Sequence, residues 1–290
     1  PEIEHSDWIE LHNNGATAVD LSGWGLSDNT DPYKWVFPEN TSIEANGYLV
    51  VIADGQDRFN GQGAYLHTNF RLSGSGETLT LTDKQGVLQS EIPNGFPAQY
   101  FTYTYGWIDS HKKWAYYSSA TPGAANSPPG PGETFSARAE APTFNVQGGF
   151  FDESQTINLA SGTRQSEIRY TIDGTEPTPT TGIPYSGPFH IHEINGGRGT
   201  VIRARTFASD HIPSETITNT YLIAQHEAYR SVPALVFTGN PEEVFYKPYG
   251  ILSIEGGTYT PGWTNTGPDS YNYASFRGIE FERPLFLEFY

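Results

Sequence analysis

The stretch Tyr170-Thr-Ile-Asp-Gly-Thr-Glu-Pro177 decides how the second half of this chain folds. It starts with aromatic and β-branched residues, which favour a strand, and Asp173-Gly174 is then a strong tight-turn signal. The prolines of residues 177–179 cannot continue a β-ladder because proline has no amide donor. We therefore predict a strand with a sharp exit, in which Asp173 is a turn residue and not a catalytic acid.

The same residues resemble the Y-T-x-D-G-T-x-P signature of the small Ig-like domain at the C-terminal end of chitobiases. That domain also occurs in many secreted bacterial multidomain proteins, usually as an accessory. Further short strands are predicted around the signature at 156–159, 167–172, 189–192, 200–207 and 216–223, with Gly or Pro between them. The resemblance implies an accessory β-sandwich over residues 141–224.

Composition indicates an almost entirely β protein. The 290 residues allow about two domains, and they include 31 Gly, 21 Pro and 14% aromatic residues. No long stretch has a helical apolar period, and the strongest apolar run, residues 48–53, is far shorter than the roughly 18 residues of a membrane helix. We predict an all-β fold with two Ig-like β-sandwich domains in tandem, followed by a partial mixed α/β or β-rich segment, and no membrane insertion.

Charge and cysteine content exclude several functional classes. The formal net charge is -17, from 33 acidic and 16 basic residues, so nucleic acid would be repelled and is not an expected partner. The absence of cysteine excludes a disulfide framework, a thiolate metal site and a cysteine nucleophile. Because the sequence starts at Pro1 and contains no Met, we expect a natural N-terminus that is processed or lies outside it.

Residues 1–126 are predicted to form the first domain. The pattern Trp8-Ile-Glu-Leu-His12 alternates, and Thr78-Leu-Thr-Leu-Thr82 runs into Asp83-Lys-Gln-Gly86, which predicts a hairpin. Five segments resemble the lamin-tail domain, an Ig-like β-sandwich: Asp7-Trp-Ile-Glu-Leu11, Val19-Asp-Leu-Ser-Gly-Trp24, Gly47-Tyr-Leu-Val-Val51, Leu66-His-Thr-Asn-Phe70 and Thr121-Pro-Gly-Ala-Ala-Asn126. This resemblance implies a scaffold or interaction role.

Two further segments complete the predicted organisation. The prolines of Ser127-Pro-Pro-Gly-Pro-Gly-Glu133 favour an extended spacer, so residues 127–140 are predicted to be a linker. Asn240-Pro-Glu-Glu243 combines a cap, a first-turn proline and two first-turn carboxylates, which predicts a short helix. With the apolar strands on either side, residues 225–290 resemble the incomplete start of a spore-coat-H (CotH) kinase domain, which lamin-tail and chitobiase-like domains often precede.

An aromatic row is the candidate carbohydrate-binding site. Phe101, Tyr103, Tyr105 and Trp107 are spaced by two residues, so on one strand they share a face and can stack on sugar rings. The alternative is that the row fills the gap between two sheets, which is the commoner location for such a face. Exposure of the row distinguishes the two.

Calcium is the one possible cofactor that the sequence suggests, and metal sites have only weak signals. The candidate oxygen ligands lie in two loops, Asp28, Asn29 and Asp31 in one and Asp54, Asp57 and Asn60 in the other. Neither loop has the spacing of a dedicated calcium loop, and the alternative is that these side chains cap their own turns. His190 and His192 share a predicted strand face and need a third ligand to hold a transition metal; solvent-facing histidines are the alternative.

No motif of catalysis is present in the sequence. It contains no G-x-S-x-G elbow, no phosphate loop and no kinase-type glycine loop followed by a strand lysine. Paired carboxylates of a glycosidase cannot be assigned from spacing, and Glu242 and Glu243 are better explained as helix-start residues. We therefore predict no catalytic residue in this sequence.

These patterns predict a non-catalytic extracellular or cell-surface scaffold or adhesion module. It would space, attach or assemble a larger secreted protein, including into a surface or filamentous structure. The alternatives are the accessory N-terminal half of a secreted CotH-like kinase and a carbohydrate-binding protein. Expected partners are proteins or polysaccharides of the cell surface, together with further copies joined through strand edges.

Overall fold

The chain is described from a computed structural model. The structure describes residues 3, 6–58, 65–126, 134–193, 199–225, 230–245, 250, 279 and 282–290. This part of the chain is nearly all β, with open sheets and no helix of seven or more residues, which confirms the predicted all-β class. None of its helices is long and apolar enough to cross a membrane. The chain divides into two compact units, Pro1–Ser136 and Ala137–Tyr290.

The first unit is built from short strands in separate open sheets. Its strands are β1 (Trp8–His12), β2 (Val19–Asp20), β3 (Gly25–Ser27), β4 (Trp35–Val36), β5 (Ser42–Ile43), β6 (Tyr48–Ile52), β7 (Leu66–His67), β8 (Thr80–Thr82), β9 (Leu88–Glu91), β10 (Thr104–Ile108), β11 (Lys113–Tyr117) and β12 (Thr134–Phe135). The sheet orders are β1-β6-β7, β4-β3-β8-β9, β2-β5 and β10-β11-β12. The predicted hairpin after Thr82 is present, because β8 pairs with β9.

The core of the first unit follows from the alternation of its strands. Ile9 of β1 and Val51 of β6 are paired in register and both are buried, as a half-buried strand pattern requires. Trp35 packs edge-on against Phe37, with ring centroids 4.8 Å apart, and both are buried. Burying large rings of this kind supplies much of the apolar area that stabilises a domain without disulfides.

The second unit is organised around a five-stranded sheet. Its strands are β13 (Ala137–Arg138), β14 (Thr143–Phe144), β15 (Gly149–Phe151), β16 (Gln155–Ile157), β17 (Leu159–Ala160), β18 (Glu167–Thr171), β19 (Ile183–Pro184), β20 (Phe189–Ile191), β21 (Thr200–Phe207), β22 (His211–Ile212), β23 (Ile217–Ile223), β24 (Leu235–Thr238) and β25 (Phe286–Phe289). The large sheet has the order β15-β23-β21-β18-β19, and the remaining strands form the pairs β13-β22, β14-β17, β16-β20 and β24-β25. Ile157, Ile202 and Tyr221 are fully buried in its core.

The signature stretch forms the predicted strand and turn. Strand β18 ends at Thr171, and Gly174 has the positive φ of 85° that its turn requires. The Thr175 N–H and hydroxyl both donate to Asp173 Oδ1, at 3.0 and 2.6 Å. Burial acts to raise the pKa of Asp173, but these hydrogen bonds outweigh it and the pKa lies below its usual value. Asp173 therefore holds the turn as an ionised carboxylate.

The strand predicted over 156–159 is wrong in one respect. The structure has two strands there, because β16 pairs with β20 whereas β17 pairs with β14. Asn158 lies at the break, where its N–H donates to Asn145 Oδ1 at 2.7 Å and its carbonyl accepts the Asn145 N–H at 3.1 Å. The chain changes its pairing partner at this residue, which local propensity does not reveal.

The segments predicted as a linker and as a third domain are only partly described. Within 127–140, Thr134–Phe135 pairs with β11 and Ala137–Arg138 pairs with β22. The predicted short helix is present as a single π-helical turn, Pro241–Phe245, in which Asn240 Oδ1 accepts the Glu242 N–H at 3.1 Å. Most of the CotH-like prediction falls on 246–281, where only residues 250 and 279 lie within the described residues.

Candidate functional site

The sheet β10-β11-β12 gathers aromatic residues on one of its faces. Tyr105 is paired with Tyr116, and Trp107 with Trp114, across the β10-β11 ladder. Tyr116 is in turn paired with Phe135 of β12. Because directly paired residues share a face of a sheet, these five side chains form one surface, which we call the aromatic face.

The rings of the aromatic face support each other. Tyr105 stacks on Trp114 with centroids 5.7 Å apart and an interplanar angle of 14°. Trp107 meets Trp114 edge-on at 5.7 Å, and Tyr105 meets Tyr116 at 5.0 Å. Such contacts hold the rings in place before any ligand arrives, so binding would cost little side-chain entropy.

Exposure differs between the two faces of this sheet. On the aromatic face the Trp107 side chain is 37% exposed, Tyr105, Trp114 and Phe135 are half-buried, and Tyr116 is buried. The opposite face carries a small cluster of buried residues, Ile108, Ala115 and Tyr117. Both faces therefore have a packed part, because Tyr116 lies against Tyr100 with ring centroids 5.4 Å apart. The accessible ring surface of the aromatic face is at Trp107.

Two of the four predicted aromatic residues lie off the strand. Strand β10 starts at Thr104, so only Tyr105 and Trp107 belong to it. Phe101 lies in the preceding turn and is 95% exposed. The Tyr103 N–H donates to the Tyr100 carbonyl at 3.0 Å and closes that turn. The prediction of one continuous strand face is therefore wrong for Phe101 and Tyr103.

Trp114, Tyr116 and Phe135 are members of the aromatic face that the sequence prediction missed. The signal for the first two was present, since Lys113-Trp-Ala-Tyr-Tyr117 also places aromatic residues two apart. Phe135 carries no local signal, because it reaches the face only through the pairing of β12 with β11.

Neighbouring rings extend the aromatic face, and polar groups fix its edge. The Tyr103 ring meets Phe135 edge-on at 5.7 Å. Trp107 Nε1–H donates to Asp109 Oδ1 at 3.2 Å, and Lys112 Nζ lies 3.3 Å from the same oxygen. Asn126 Nδ2–H donates to the Trp107 carbonyl at 3.1 Å. The bond to Asp109 orients the exposed indole, and the bond from Asn126 holds the backbone of Trp107.

Two phenols of the aromatic face, Tyr105 and Tyr116, are kept neutral by burial. Burial raises the pKa of Tyr105 above its usual value, and burial together with the neighbouring Tyr100 and Tyr105 raises that of Tyr116. The Tyr116 hydroxyl donates to the Ala98 carbonyl at 2.6 Å. An uncharged surface of rings and hydroxyl groups suits the C–H and O–H groups of a sugar better than a charged ligand.

The first candidate calcium loop uses its oxygens within the protein. Lys34 Nζ lies 2.7 and 2.9 Å from the two carboxylate oxygens of Asp28. Asn29 Oδ1 accepts the Asp31 N–H at 2.8 Å, and Asp31 Oδ1 accepts the Tyr33 N–H at 3.0 Å. These residues cap their turns and neutralise a lysine, an arrangement that does not fit a cation.

The second candidate calcium loop is likewise occupied by protein contacts. Asp54 Oδ2 lies 2.9 Å from Nδ1 of the buried His67, and its Oδ1 accepts the Gln56 N–H at 3.0 Å. Asp57 Oδ1 accepts the Trp35 Nε1–H at 3.1 Å. Asn60 lies outside the described residues. Across the part of the chain that the structure describes, no group of three or more His, Asp or Glu side chains could hold a metal.

The predicted histidine pair is formed, and both rings have hydroxyl partners. His190 and His192 lie with ring centroids 6.2 Å apart. His190 Nδ1 lies 2.9 Å from Thr156 Oγ1, and His192 Nδ1 lies 3.0 Å from Ser154 Oγ. No third metal ligand accompanies them among the described residues.

Two stretches of the chain are similar to known domain families. Residues 2–94 match the family model of the Lamin Tail Domain, and residues 146–218 match that of the Chitobiase/beta-hexosaminidase C-terminal domain. One stretch is thus similar to a lamin tail domain and the other to a chitobiase C-terminal domain. Both are Ig-like, non-catalytic modules of a scaffold or carbohydrate-related kind. Strands β10 to β12 lie between the two matched regions, so the aromatic face belongs to neither matched stretch.

One curated relative shares a short stretch with this chain. An endoglucanase of Clostridium saccharobutylicum is 42% identical over 50 residues. The shared stretch is 17% of this chain and 11% of that protein, so the chain covers only a small part of its relative.

Proposed function

We propose that this chain is a non-catalytic extracellular module that attaches a larger protein to polysaccharide through the aromatic face. The observation that carries the proposal is a surface of mutually packed rings with an exposed tryptophan at its edge. The names of the similar proteins add support, because chitobiase and endoglucanase are both names of carbohydrate-active enzymes.

The physical basis is stacking of sugar rings on aromatic rings. A pyranose presents an apolar C–H face that covers the exposed ring while its hydroxyl groups stay hydrated at the edge. The rings of Tyr105 and Trp114 lie nearly parallel, so a sugar that covers Trp107 can extend over their exposed edges. Binding would be modest per site, and repeated modules on one polymer would strengthen it by avidity.

The geometry supports attachment better than hydrolysis. A glycosidase needs two carboxyl groups that flank the scissile bond about 5 to 10 Å apart. The carboxylate beside the aromatic face, Asp109, is bonded to the Trp107 indole and to Lys112. No second carboxylate has been placed across the aromatic face from it, so the described residues of this face do not show the pair that hydrolysis needs.

A polysaccharide-binding assay tests the proposal. Purified protein is mixed with insoluble cellulose, chitin and xylan and with soluble oligosaccharides from each, and the bound fraction is measured. We expect binding to at least one polymer, with loss of binding in Trp107→Ala. If the folded protein binds none of a broad panel of polysaccharides, the carbohydrate role is overturned. A scaffold role that depends on protein partners would then remain.

Assembly through strand edges is a second candidate function with its own observation. Strand β9 is the outer strand of its sheet, and all four of its residues, Leu88–Glu91, are exposed. An outer strand of this kind can pair with a strand of another copy. Light scattering over a range of concentrations should show association that Ser90→Pro abolishes. A strictly monomeric scattering profile at high concentration would refute assembly through strand edges.

The accessory role in a CotH-like kinase depends on the sequence resemblance after residue 225. An assay of the full-length gene product for phosphoryl transfer, with and without residues 1–224, tests it. We expect the 290-residue chain by itself to show no phosphoryl transfer, whether or not the full-length protein does.

A further inference from the structure

A buried carboxylate joins the C-terminal strand pair to the large sheet of the second unit. Glu288 of β25 is only 9% exposed. Its Oε1 accepts the Thr220 N–H at 3.0 Å, and its Oε2 accepts the Thr220 hydroxyl at 2.5 Å. The Tyr290 hydroxyl also donates to Oε1. Three donors therefore satisfy a charge that would otherwise be costly to bury.

The position of Thr220 explains why a donor is available there. Strand β15 pairs with β23 only over residues 221–223 of β23, starting at the Gly149 and Tyr221 pair. Thr220 lies one residue before that ladder, so its N–H remains for a partner outside the sheet. Glu288 supplies the acceptor that a buried backbone N–H requires.

The surface around this contact leaves room for the C-terminal segment. A Cβ on Gly148 would collide with the Tyr290 hydroxyl and with the backbone of Thr220. A Cβ on Gly174 would lie 2.7 Å from the carbonyl oxygen of Gly239, the residue after β24. The glycine of the signature turn thus has a second role, because it permits close approach of the segment that contains β24.

Strands β24 and β25 are paired along their whole length, and one face of the pair contacts β23. Val236 and Glu288 are paired in the β24-β25 ladder, as are Leu235 and Phe289. Glu288 is buried against β23, whereas Leu235 and Phe289 are 53% and 71% exposed. The Ala234 and Tyr290 backbones exchange two hydrogen bonds, at 2.8 and 2.9 Å, so the two ends are held together.

We propose that this side of the second unit is a docking surface for the paired strands β24 and β25, with Glu288 as the residue that determines docking. The segment 234–239 and the segment 286–290 then move with the five-stranded sheet as one body. A domain linked to either strand would then be held at a fixed position on the unit, whereas a flexible linker would let it move freely. This goes beyond the attachment function proposed above and does not depend on it.

Hydrogen exchange of the full chain, followed by mass spectrometry, tests the docking. In the unaltered protein we expect the amides of 234–239 and 286–290 to be protected. Glu288→Gln keeps the size of the side chain but replaces one acceptor oxygen by a donor group. It should raise the exchange rate of both segments about 10-fold or more, because a buried charge-assisted hydrogen bond is lost. Amides of β18 and β21 should exchange as before.

Two further variants make the test specific. Glu282→Gln makes the same substitution at an exposed position four residues before β25 and should leave exchange unchanged. Tyr290→Phe removes one of the three donors and should give a smaller increase than Glu288→Gln. The proposal is overturned if both segments exchange freely in the unaltered protein. It is also overturned if Glu288→Gln has no effect, or if it raises exchange equally in β18 and β21.

Discussion

Replacing Trp107 by alanine should weaken polysaccharide binding in proportion to the ring surface that a sugar can cover. The side chain is 37% exposed, and a tryptophan has about 250 Å² of surface, so about 90 Å² is open to a ligand. At about 25 cal/mol per Å² this area is worth about 2 kcal/mol, or roughly a 30-fold increase in the dissociation constant. The estimate is an upper value, since it assumes that the sugar covers all of the open ring.

Isothermal titration calorimetry or a pull-down at several polymer concentrations measures this change. Phe101→Ala is the matched control, because its ring is 95% exposed but lies in the turn before β10. We expect the control to change affinity less than about twofold, as surface substitutions usually do. If Phe101→Ala weakens binding as much as Trp107→Ala, or if Trp107→Ala binds normally, the assignment of the site to the aromatic face is wrong.

Three other predictions follow from single residues. Ile202→Ala empties a fully buried position and should lower the free energy of unfolding by about 2–5 kcal/mol in a denaturant titration, and a loss below about 1 kcal/mol would contradict the packing. The backbone N–H of Val87 and further donors hold the folded pKa of Asp83 below its usual 3.8, so the stability from this group is present above about pH 3.8 and is lost as the pH falls through the folded pKa. The difference in stability between the unaltered protein and Asp83→Asn should therefore shrink in acid, and a constant difference would refute this. The phenol of Tyr116 should ionise at higher pH than an ordinary tyrosine, so Tyr116→Phe should remove absorbance change only from the late part of an ultraviolet pH titration. A smaller absorbance step near pH 10 in the variant would mean that Tyr116 titrates normally.

The elements that depend on local chemistry could be predicted from the sequence. Strand β21, Thr200–Phe207, has the predicted bounds because its alternation and β-branched residues act within the strand itself. The turn at Asp173 was predictable for the same reason, since Thr175 and Gly174 provide its bonds and its conformation.

The elements that depend on pairing with distant strands could not be predicted. The aromatic face needs the register of β10 with β11 and of β11 with β12, and only that register adds Trp114 and Phe135 to Tyr105 and Trp107. The burial of Glu288 is also non-local, because its partner Thr220 is 68 residues away. A carboxylate in a terminal strand gives no sign by itself that it will be buried.

The central claim is that a polysaccharide binds on the aromatic face, and the indole signals of a ¹⁵N-labelled sample test it most directly. The chain has six tryptophans. When an oligosaccharide that binds is added, the account predicts shifts at the Nε1–H of Trp107 and Trp114, with the signals of Trp8, Trp24 and Trp35 unchanged. Saturable binding that shifts any of those three signals and leaves the Trp107 signal unchanged would contradict it.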